Sequence, residues 1–464
     1  IIAKLGTGQF KSALKDLNSY LKKEPDDQET LFCLSLTYNK LGDDENALKF
    51  AKKSIALGLP LERFIAGPRS LNKKLLQSDY FLNLIKSSSV KLVHGPMIGD
   101  LSSTSVKIWV RASKKSEIKI VIEGVTAERA QALKANDYTA VINIQGLKPD
   151  TFYHYQIFQD DHAIDLDVEP GFRTQKEDGG DRIKVIFGGG AGFTPKYERM
   201  WKTIKGHKPD ALLLLGDNVY IDHPEVREVG QYCYYRRHSR PEWRKLISSV
   251  PVYAIWDDHD YGLNDGGKEY MLNEKSKELF LEFWDIPRDD PRRFRKGLYH
   301  DLTVKSDSKD IHVIFLDTRT FRDKLKPTDS KGTPGKERYI PNEDNSMTML
   351  GPDQWKWLTK KLSKPTNYRI IVSSIQFIAV GHGWESWKNL PHERNKLISL
   401  IDNSDIKNTI ILSGDRHRGG IYQLKTEKGS TITEVTSSSL NSSYPTNPEE
   451  AGPLRVGSTF VNEN

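Results

Sequence analysis

The chain has 464 residues, of which 37% are hydrophobic, 28% charged and 10% aromatic. This composition is typical of a folded protein with more than one core and excludes a wholly disordered chain. The longest apolar run, residues 370–380, is interrupted by Ser and Gln and is shorter than the ~18–20 residues of a transmembrane helix, so no transmembrane segment is predicted. The 69 basic and 62 acidic side chains give a net charge of +7, without the basic patch typical of a nucleic-acid-binding protein.

Residues 1–60 contain an internal repeat. Gly8 and Ala13 recur 34 residues later as Gly42 and Ala47. Small residues at this spacing allow paired helices to approach closely, and the pattern resembles the tetratricopeptide repeat. An ordinary helical hairpin is the alternative. We expect these helices to bind a peptide or protein partner or to pack on the rest of the chain.

The next two segments differ in period. Residues 61–90 are predicted to form a further helix and a linker, and residues 91–176 a β-sandwich. Residues 106–110 (VKIWV) alternate between apolar and polar side chains, as half-buried strands do. A turn signal followed by Tyr153 and Tyr155 resembles the tyrosine corner of fibronectin III-like sandwiches.

From residue 181 to residue 464 the pattern changes to strands that alternate with helices. Nearly continuous apolar runs predict a sheet that is covered on both faces, and ligands of such sheets bind beyond the carboxyl ends of the strands. The predicted strands cover residues 183–190, 211–217, 252–258, 312–317, 370–376 and 409–415.

Acidic and histidine residues follow these strands. The segments are GDNVY at 216–220, WDDHD at 256–260, LDTR at 316–319 and SGDRH at 413–417. A single aspartate at a strand end can equally cap a helix or a turn. Several carboxylates and imidazoles at one sheet edge would repel each other without cations, and this ligand set suits Fe, Mn, Zn, Mg or Ca. Two such ions ~3.5–4 Å apart can generate a hydroxide and stabilise an in-line displacement at phosphorus.

The four segments, in this order, resemble the alkaline phosphatase D (PhoD-like) branch of the metallophosphatases. The resemblance covers about residues 92–464. It implies a multidomain chain whose last part is an α/β four-layer metallophosphatase sandwich. It also implies metal-dependent hydrolysis of phosphate esters, as a phosphodiesterase or alkaline phosphatase, by a metal-activated hydroxide. An extracytoplasmic (periplasmic or secreted) location is expected by the same resemblance, with the signal peptide outside this chain.

The resemblance also implies two metal ions, iron and calcium. Asp217 would bridge both metals, and Tyr220 and His417 would hold the first, the iron. Asp258 and Asp415 would hold the second.

Three further residues are candidates on weaker grounds. Asn264 is a possible ligand of the second metal. His259 would face the phosphate, where it would stabilise charge or protonate the leaving oxygen. Arg319 would contact the phosphate, although pairing with a carboxylate is the alternative.

One departure from the family affects the first metal. Gly190 stands where the family commonly has an iron-ligating Cys, so Mn, Zn or Mg become possible. Cys233 is expected to be a buried apolar residue rather than a substitute ligand. Residues 452–464 stop where the family continues with another strand, so we expect the catalytic domain to be truncated at its C-terminus. The alternative function is a partner-binding scaffold with a degenerate phosphatase domain.

Overall fold

The structure is a computed structural model that describes residues 1–88, 92–168, 170–177, 182–193, 198–306, 309–404, 408–443 and 452–461. The domain boundaries predicted at residues 90, 91 and 181, and the last three residues of the predicted C-terminal segment, lie outside these ranges. Among the described residues, no helix combines the length and apolar composition that crossing a membrane requires.

The N-terminal part is helical. Its helices are α1 (Ile2–Gly6), α2 (Phe10–Leu21), α3 (Gln28–Leu41), α4 (Asp44–Ala56), α5 (Leu61–Ala66), α6 (Arg69–Asn72) and α7 (Asp79–Ser87). Gly8 and Gly42 lie in the turns before α2 and α4, at φ of +78° and +81°, a conformation that glycine adopts without strain. Ala13 and Ala47 are both fully buried. The repeated residues therefore hold equivalent positions in two successive helix pairs, while the tetratricopeptide assignment stays a prediction.

The second part is built from short antiparallel strands. They are β1 (Leu92–Gly99), β2 (Ser105–Ala112), β3 (Ser116–Ile122), β4 (Thr126–Ala132), β5 (Thr139–Gln145), β6 (Phe152–His154), β7 (Gln156–Gln159), β8 (His162–Ala163) and β9 (Gly171–Arg173). The sheets are ordered β1-β2-β5, β4-β3-β7-β8 and β6-β9. The backbone N–H of Lys148 donates to the Tyr153 hydroxyl at 2.8 Å, a contact that tyrosine corners also make. The fibronectin-like assignment stays a prediction.

The third part contains two sheets. The smaller sheet, ordered β10-β11-β12, is parallel. Its strands are β10 (Val185–Gly188), β11 (Ala211–Leu214) and β12 (Val252–Ala254). The larger sheet is ordered β13-β14-β15-β16-β18-β17-β19. Its strands are β13 (His300–Ser306), β14 (Lys309–Phe315), β15 (Tyr368–Ser373), β16 (Thr409–Ser413), β17 (Gly419–Lys425), β18 (Thr431–Ser437) and β19 (Arg455–Phe460).

Seven α-helices are described in the third part besides these sheets. They are α8 (Met200–Gly206), α9 (Arg227–His238), α10 (Pro241–Ile247), α11 (Asp258–Tyr261), α12 (Asn273–Phe283), α13 (Gly351–Leu362) and α14 (Pro391–Asp402). Phe315 of β14 shares a core with Leu212 of β11, whereas its neighbour Ile314 packs in a second core with Trp355 of α13. Because successive side chains of a strand point to opposite faces, the larger sheet packs on the smaller sheet with one face and on α13 and α14 with the other.

The N-terminal helices pack directly on the third part. The Phe32 ring of α3 stacks on Tyr232 of α9 at 6.4 Å between ring centroids. The Tyr232 hydroxyl donates to the Glu29 carboxylate at 2.6 Å, and Arg63 pairs with the same carboxylate at 2.8 Å. The helices and the smaller sheet thus share one core.

Candidate active site

A cavity of about 260 Å³ lies at the carboxyl ends of β11, β12 and β16. Its five acidic lining residues are Asp217, Asp258, Asp265, Glu385 and Asp415. The other lining residues are His259, Asn264, Arg338, Trp384, Arg416 and His417. Six of the predicted site residues therefore line one cavity: Asp217, Asp258, His259, Asn264, Asp415 and His417. Tyr220 and Arg319 are outside this lining set.

Asp217 is placed by a sharp bend after β11. Gly216 has a φ of +113°, and a Cβ there would lie 2.3 Å from the Cβ of Asp257, so only glycine fits. Asp217 follows at a φ of +50°, a left-handed conformation that is uncommon outside glycine. Its side chain is buried, and its Oδ1 has no hydrogen-bond partner among the described residues. A buried carboxylate oxygen without a partner is costly, and it is a ligand atom open to a cation.

The segment after β12 is held by its own carboxylates. Asp260 accepts from the backbone N–H of Asp257 and of Asn218, both at 3.1 Å, and so joins the two loops. Asp258, the first residue of α11, accepts from the backbone N–H of Asp265 at 2.8 Å. These hydrogen bonds fix the direction of the Asp258 carboxylate in the cavity.

The ligand atoms fall into two overlapping groups. Asp217, Asp258 and His259 form one group, and Asp257, Asp258 and Asp415 form the other, with the ligand atoms of each group within 4.8 Å of one another. This donor set of carboxylate oxygens with imidazole nitrogen fits hard or borderline cations.

Electrostatics also favour a cation. Burial, followed by the charges of neighbouring carboxylates, raises the pKa of Asp217 and of Asp415 well above the usual range. Burial also acts to raise the pKa of Asp258, but the Arg319 guanidinium and His259 outweigh it, and the net pKa is lowered. The carboxylates repel one another in the bare protein, and bound cations would relieve this repulsion.

His259 is oriented by a carboxylate that sequence analysis missed. Its Nδ1 lies 3.2 Å from Oδ1 of Asp222, so Nε2 is the ring nitrogen left for the cavity. The ring of Tyr220 packs on the imidazole at 4.3 Å between centroids. Tyr220 lines a second cavity, beside the N-terminal helices.

His417 adopts a φ of +51°, and its backbone N–H donates to the Ser438 hydroxyl at 3.1 Å. Gly190 lies beside it, because a Cβ built on Gly190 would be 3.7 Å from Nδ1 of His417. The thiol of Cys233 is elsewhere, and it contacts the Tyr220 carbonyl at 3.2 Å. Burial raises the pKa of Cys233 to about 11, so this cysteine is a poor thiolate ligand.

Arg319 is fully buried next to the cavity. Its Nε donates to Oδ1 of Asp257 at 2.6 Å, and its Nη2 lies 2.6 Å from the Glu385 carboxylate. These contacts match the carboxylate-pairing alternative. In this position Arg319 holds Glu385, which lines the cavity, and Asp257, a member of the second ligand group.

Sequence analysis did not single out Asp265, Arg338, Trp384, Glu385 or Arg416 as site residues. Arg416 lies inside the SGDRH segment, so its position was a usable signal. Trp384 and Glu385 follow the predicted strand at 370–376 by a few residues only. Arg338 comes from the long loop between β14 and α13, and no sequence pattern indicates that this loop returns to the site.

Comparisons with known proteins match two parts of the chain to protein families. The PhoD-like phosphatase family matches residues 286–464, and a family described as a domain of unknown function (DUF7800) matches residues 89–176. The chain is 22% identical to alkaline phosphatase D of Bacillus subtilis (strain 168) over 415 residues, which cover 75% of this chain and 68% of that protein.

Two solved structures share the fold. The structure of PhoD matches with a TM-score of 0.62 at 18% identity, covering 76% of this chain and 77% of that one. A purple acid phosphatase isolated from yellow lupin (Lupinus luteus) seeds matches with a TM-score of 0.52 at 11% identity, covering 80% and 69%. The expected family resemblance is confirmed.

Proposed function

We propose that this chain, which carries a PhoD-like phosphatase domain, hydrolyses phosphate esters at the cavity with two bound metal ions. The observation that carries the proposal is the close approach of Asp217, Asp258 and Asp415, three proposed ligands that lie in two overlapping groups of possible ligand atoms. Carboxylates that are buried this close together repel one another and destabilise the fold. Their presence therefore favours a metal-binding site over a degenerate domain.

The metal ligands are proposed residue by residue. Asp217 would bridge the two ions, Tyr220 and His417 would hold the first, and Asp258 and Asp415 would hold the second. The orphaned Oδ1 of Asp217 and its raised pKa support the bridging role. Two ions in such a site supply Lewis acidity and a nucleophile at neutral pH. Asn264 lines the cavity and is a further candidate for the second site.

The metal identities follow the family in part. Iron in the first site and calcium in the second are implied by the resemblance. Gly190 offers no ligand side chain, and the described Cys233 thiol points to a backbone carbonyl instead. A site with oxygen and imidazole ligands discriminates less sharply for iron, so Mn, Zn or Mg are proposed as alternatives.

Proton transfer and charge stabilisation are assigned to this chain's side chains. His259 keeps Nδ1 on the Asp222 carboxylate, which leaves Nε2 to donate to the leaving oxygen of the ester. Arg319 fixes Asp257 and Glu385 and so acts on the reacting centre through these carboxylates. Direct contact of Arg319 with the phosphate stays a prediction.

The test combines metal analysis with hydrolysis of an aryl phosphate monoester and diester. Asp217→Asn and His417→Ala should lose metal and activity together. His259→Ala should keep its metals and lose about 10²–10⁴-fold in turnover, the range of general acid catalysis. Asp210→Asn is the matched control, because Asp210 lies at the opposite end of β11 and accepts from the Lys184 backbone N–H at 2.6 Å.

Two results would contradict the proposal. One is full activity of Asp217→Asn with unchanged metal content, which would remove the site assignment. The other is a metal-loaded wild-type protein that hydrolyses neither ester, which would favour the partner-binding scaffold.

A further inference from the structure

Two arginines of the cavity are held on one tryptophan. The guanidinium carbon of Arg338 lies 4.9 Å from the ring centroid of Trp384, and that of Arg416 lies 5.3 Å from it. Both distances are within the ~6 Å range of cation–π attraction. All three residues line the same cavity as the carboxylates. We call Arg338, Trp384 and Arg416 the arginine–tryptophan stack.

The stack lies close to the proposed metal ligands. Arg338 pairs with the Asp265 carboxylate, and the backbone N–H of Asp265 donates to the Asp258 carboxylate at 2.8 Å. One residue therefore separates Arg338 from a proposed ligand. The Arg338 side chain is still 41% exposed, so solvent and solutes reach it from the cavity.

The charges of the cavity show what the stack adds. Two divalent cations bring four positive charges, which do not offset the five lining carboxylates. The two guanidinium groups reverse the sign, so the metal-loaded cavity becomes attractive to an anion. A guanidinium also matches the geometry of phosphate oxygens, and stacking on an indole reduces the side-chain entropy that binding removes.

We propose that the arginine–tryptophan stack is an anion subsite for the unesterified oxygens of a dianionic phosphate group. This subsite favours phosphomonoesters, or esters that carry a second, terminal phosphate, over diesters without further charge. The inference rests on the proposed function, whose active site it extends.

Three aryl substrates with the same leaving group distinguish the possibilities. They are a monoester, a methyl diester, and a diester whose second alcohol carries a terminal phosphate. Arg338→Gln and Arg416→Gln should each lower kcat/KM for a favoured substrate by about 10- to 100-fold, the range for hydrogen bonds to charged groups. The loss on the methyl diester should stay below about threefold. Loss on the monoester alone assigns the subsite to the scissile phosphate, and loss on the terminal phosphate substrate assigns it to a second phosphate.

A second measurement does not depend on turnover. Calorimetry of the metal-loaded proteins with inorganic phosphate should show a Kd about 10-fold or more higher in both Gln variants, with unchanged metal content. Arg338→Lys keeps the charge without the planar group and should fall between wild type and Arg338→Gln. Arg129→Gln is the control, because Arg129 of β4 is 45% exposed, pairs with Glu117 and does not line this cavity.

Equal losses on the monoester and the methyl diester, or an unchanged Kd for inorganic phosphate, would overturn the subsite. In either case a wild-type protein that still hydrolyses esters leaves the proposed function standing. A wild-type protein that hydrolyses none of the three substrates contradicts the proposed function itself.

Discussion

Replacing Phe32 by Ala tests whether the N-terminal helices unfold together with the catalytic part. Phe32 is fully buried, and its ring lies 4.9 Å from Phe64 and 6.4 Å from Tyr232 of α9. Removing a buried phenyl ring costs about 3–5 kcal/mol in unfolding free energy, because apolar contacts are lost and a cavity remains. The size of the resulting shift in Tm depends on how much of the chain unfolds at once.

The two cases give clearly different shifts. An unfolding entropy of ~2.1 cal/mol/K per residue amounts to about 1 kcal/mol/K if all 464 residues unfold cooperatively, and Tm then falls by about 3–5 °C. If residues 1–88 unfold alone, the entropy is about 0.2 kcal/mol/K, and their own transition falls by about 15–25 °C. Because the helices and the smaller sheet share one core, we expect the small shift.

Differential scanning calorimetry measures both the shift and the number of transitions. Tyr20→Ala is the control, because Tyr20 of α2 is 51% exposed and should change Tm little. A separate early transition in Phe32→Ala, with the main transition unchanged, would refute the shared core. The helices would then be an independent unit, as a repeat domain would be.

Three further predictions concern single residues. Burial lowers the pKa of His238 to about 3, so the stability that its neutral ring contributes is fully present above about pH 6.5 and is lost as the pH falls towards 3. His238→Phe should therefore reduce the pH dependence of the unfolding free energy by about 1.4 kcal/mol per pH unit between about pH 6 and 4. The same pH dependence of the urea-derived unfolding free energy in both proteins would contradict this. Gly190→Cys should lower the unfolding free energy by about 1–3 kcal/mol, because Gly190 has a φ of +69° that strains other residues. It should nevertheless raise the iron content relative to Gly190→Ala, which has the same strain but no thiol. Asp222→Asn should lower kcat by less than about fivefold, because an exposed ion pair contributes ~0.2–1 kcal/mol and the Asp222 side chain is 69% exposed; a loss above a hundredfold would show a larger role.

Sequence analysis predicted six of the ten strands that the structure describes in the third part and the ends that build the site, but not β13, β17, β18 or β19. The run at 211–217 corresponds to β11 with Asp217 beyond its end, and the run at 409–415 corresponds to β16 with Asp415 beyond its end. These predictions succeed because a buried parallel strand is a continuous apolar run, and because the carboxyl ends of parallel strands lie at the same edge of the sheet. Proximity of these residues follows from the topology alone.

The directions of the Tyr220 and Arg319 side chains could not be predicted from apolar runs and strand ends. Tyr220 lies three residues after Asp217, but its ring packs on His259 and lines the neighbouring cavity. Arg319 follows β14 as expected, but it is buried between Asp257 and Glu385. Both outcomes depend on partners from distant segments, and the local sequence carries no record of those partners.

The arrangement that suits the site also destabilises the polypeptide. Asp217, Asp415 and His417 all adopt left-handed backbone conformations, at φ of +50°, +67° and +51°, and such strain costs about 1–3 kcal/mol per residue. Charge repulsion adds to this cost, as the raised pKa values of Asp217 and Asp415 indicate. A bound cation would offset the repulsion but not the strain, which is sustained by the buried strands directly before these residues. Folding therefore fixes the backbone of the site, whereas bound cations would be needed to neutralise its carboxylates. Ions at a hundredfold excess over their Kd would stabilise the fold by about 2.7 kcal/mol.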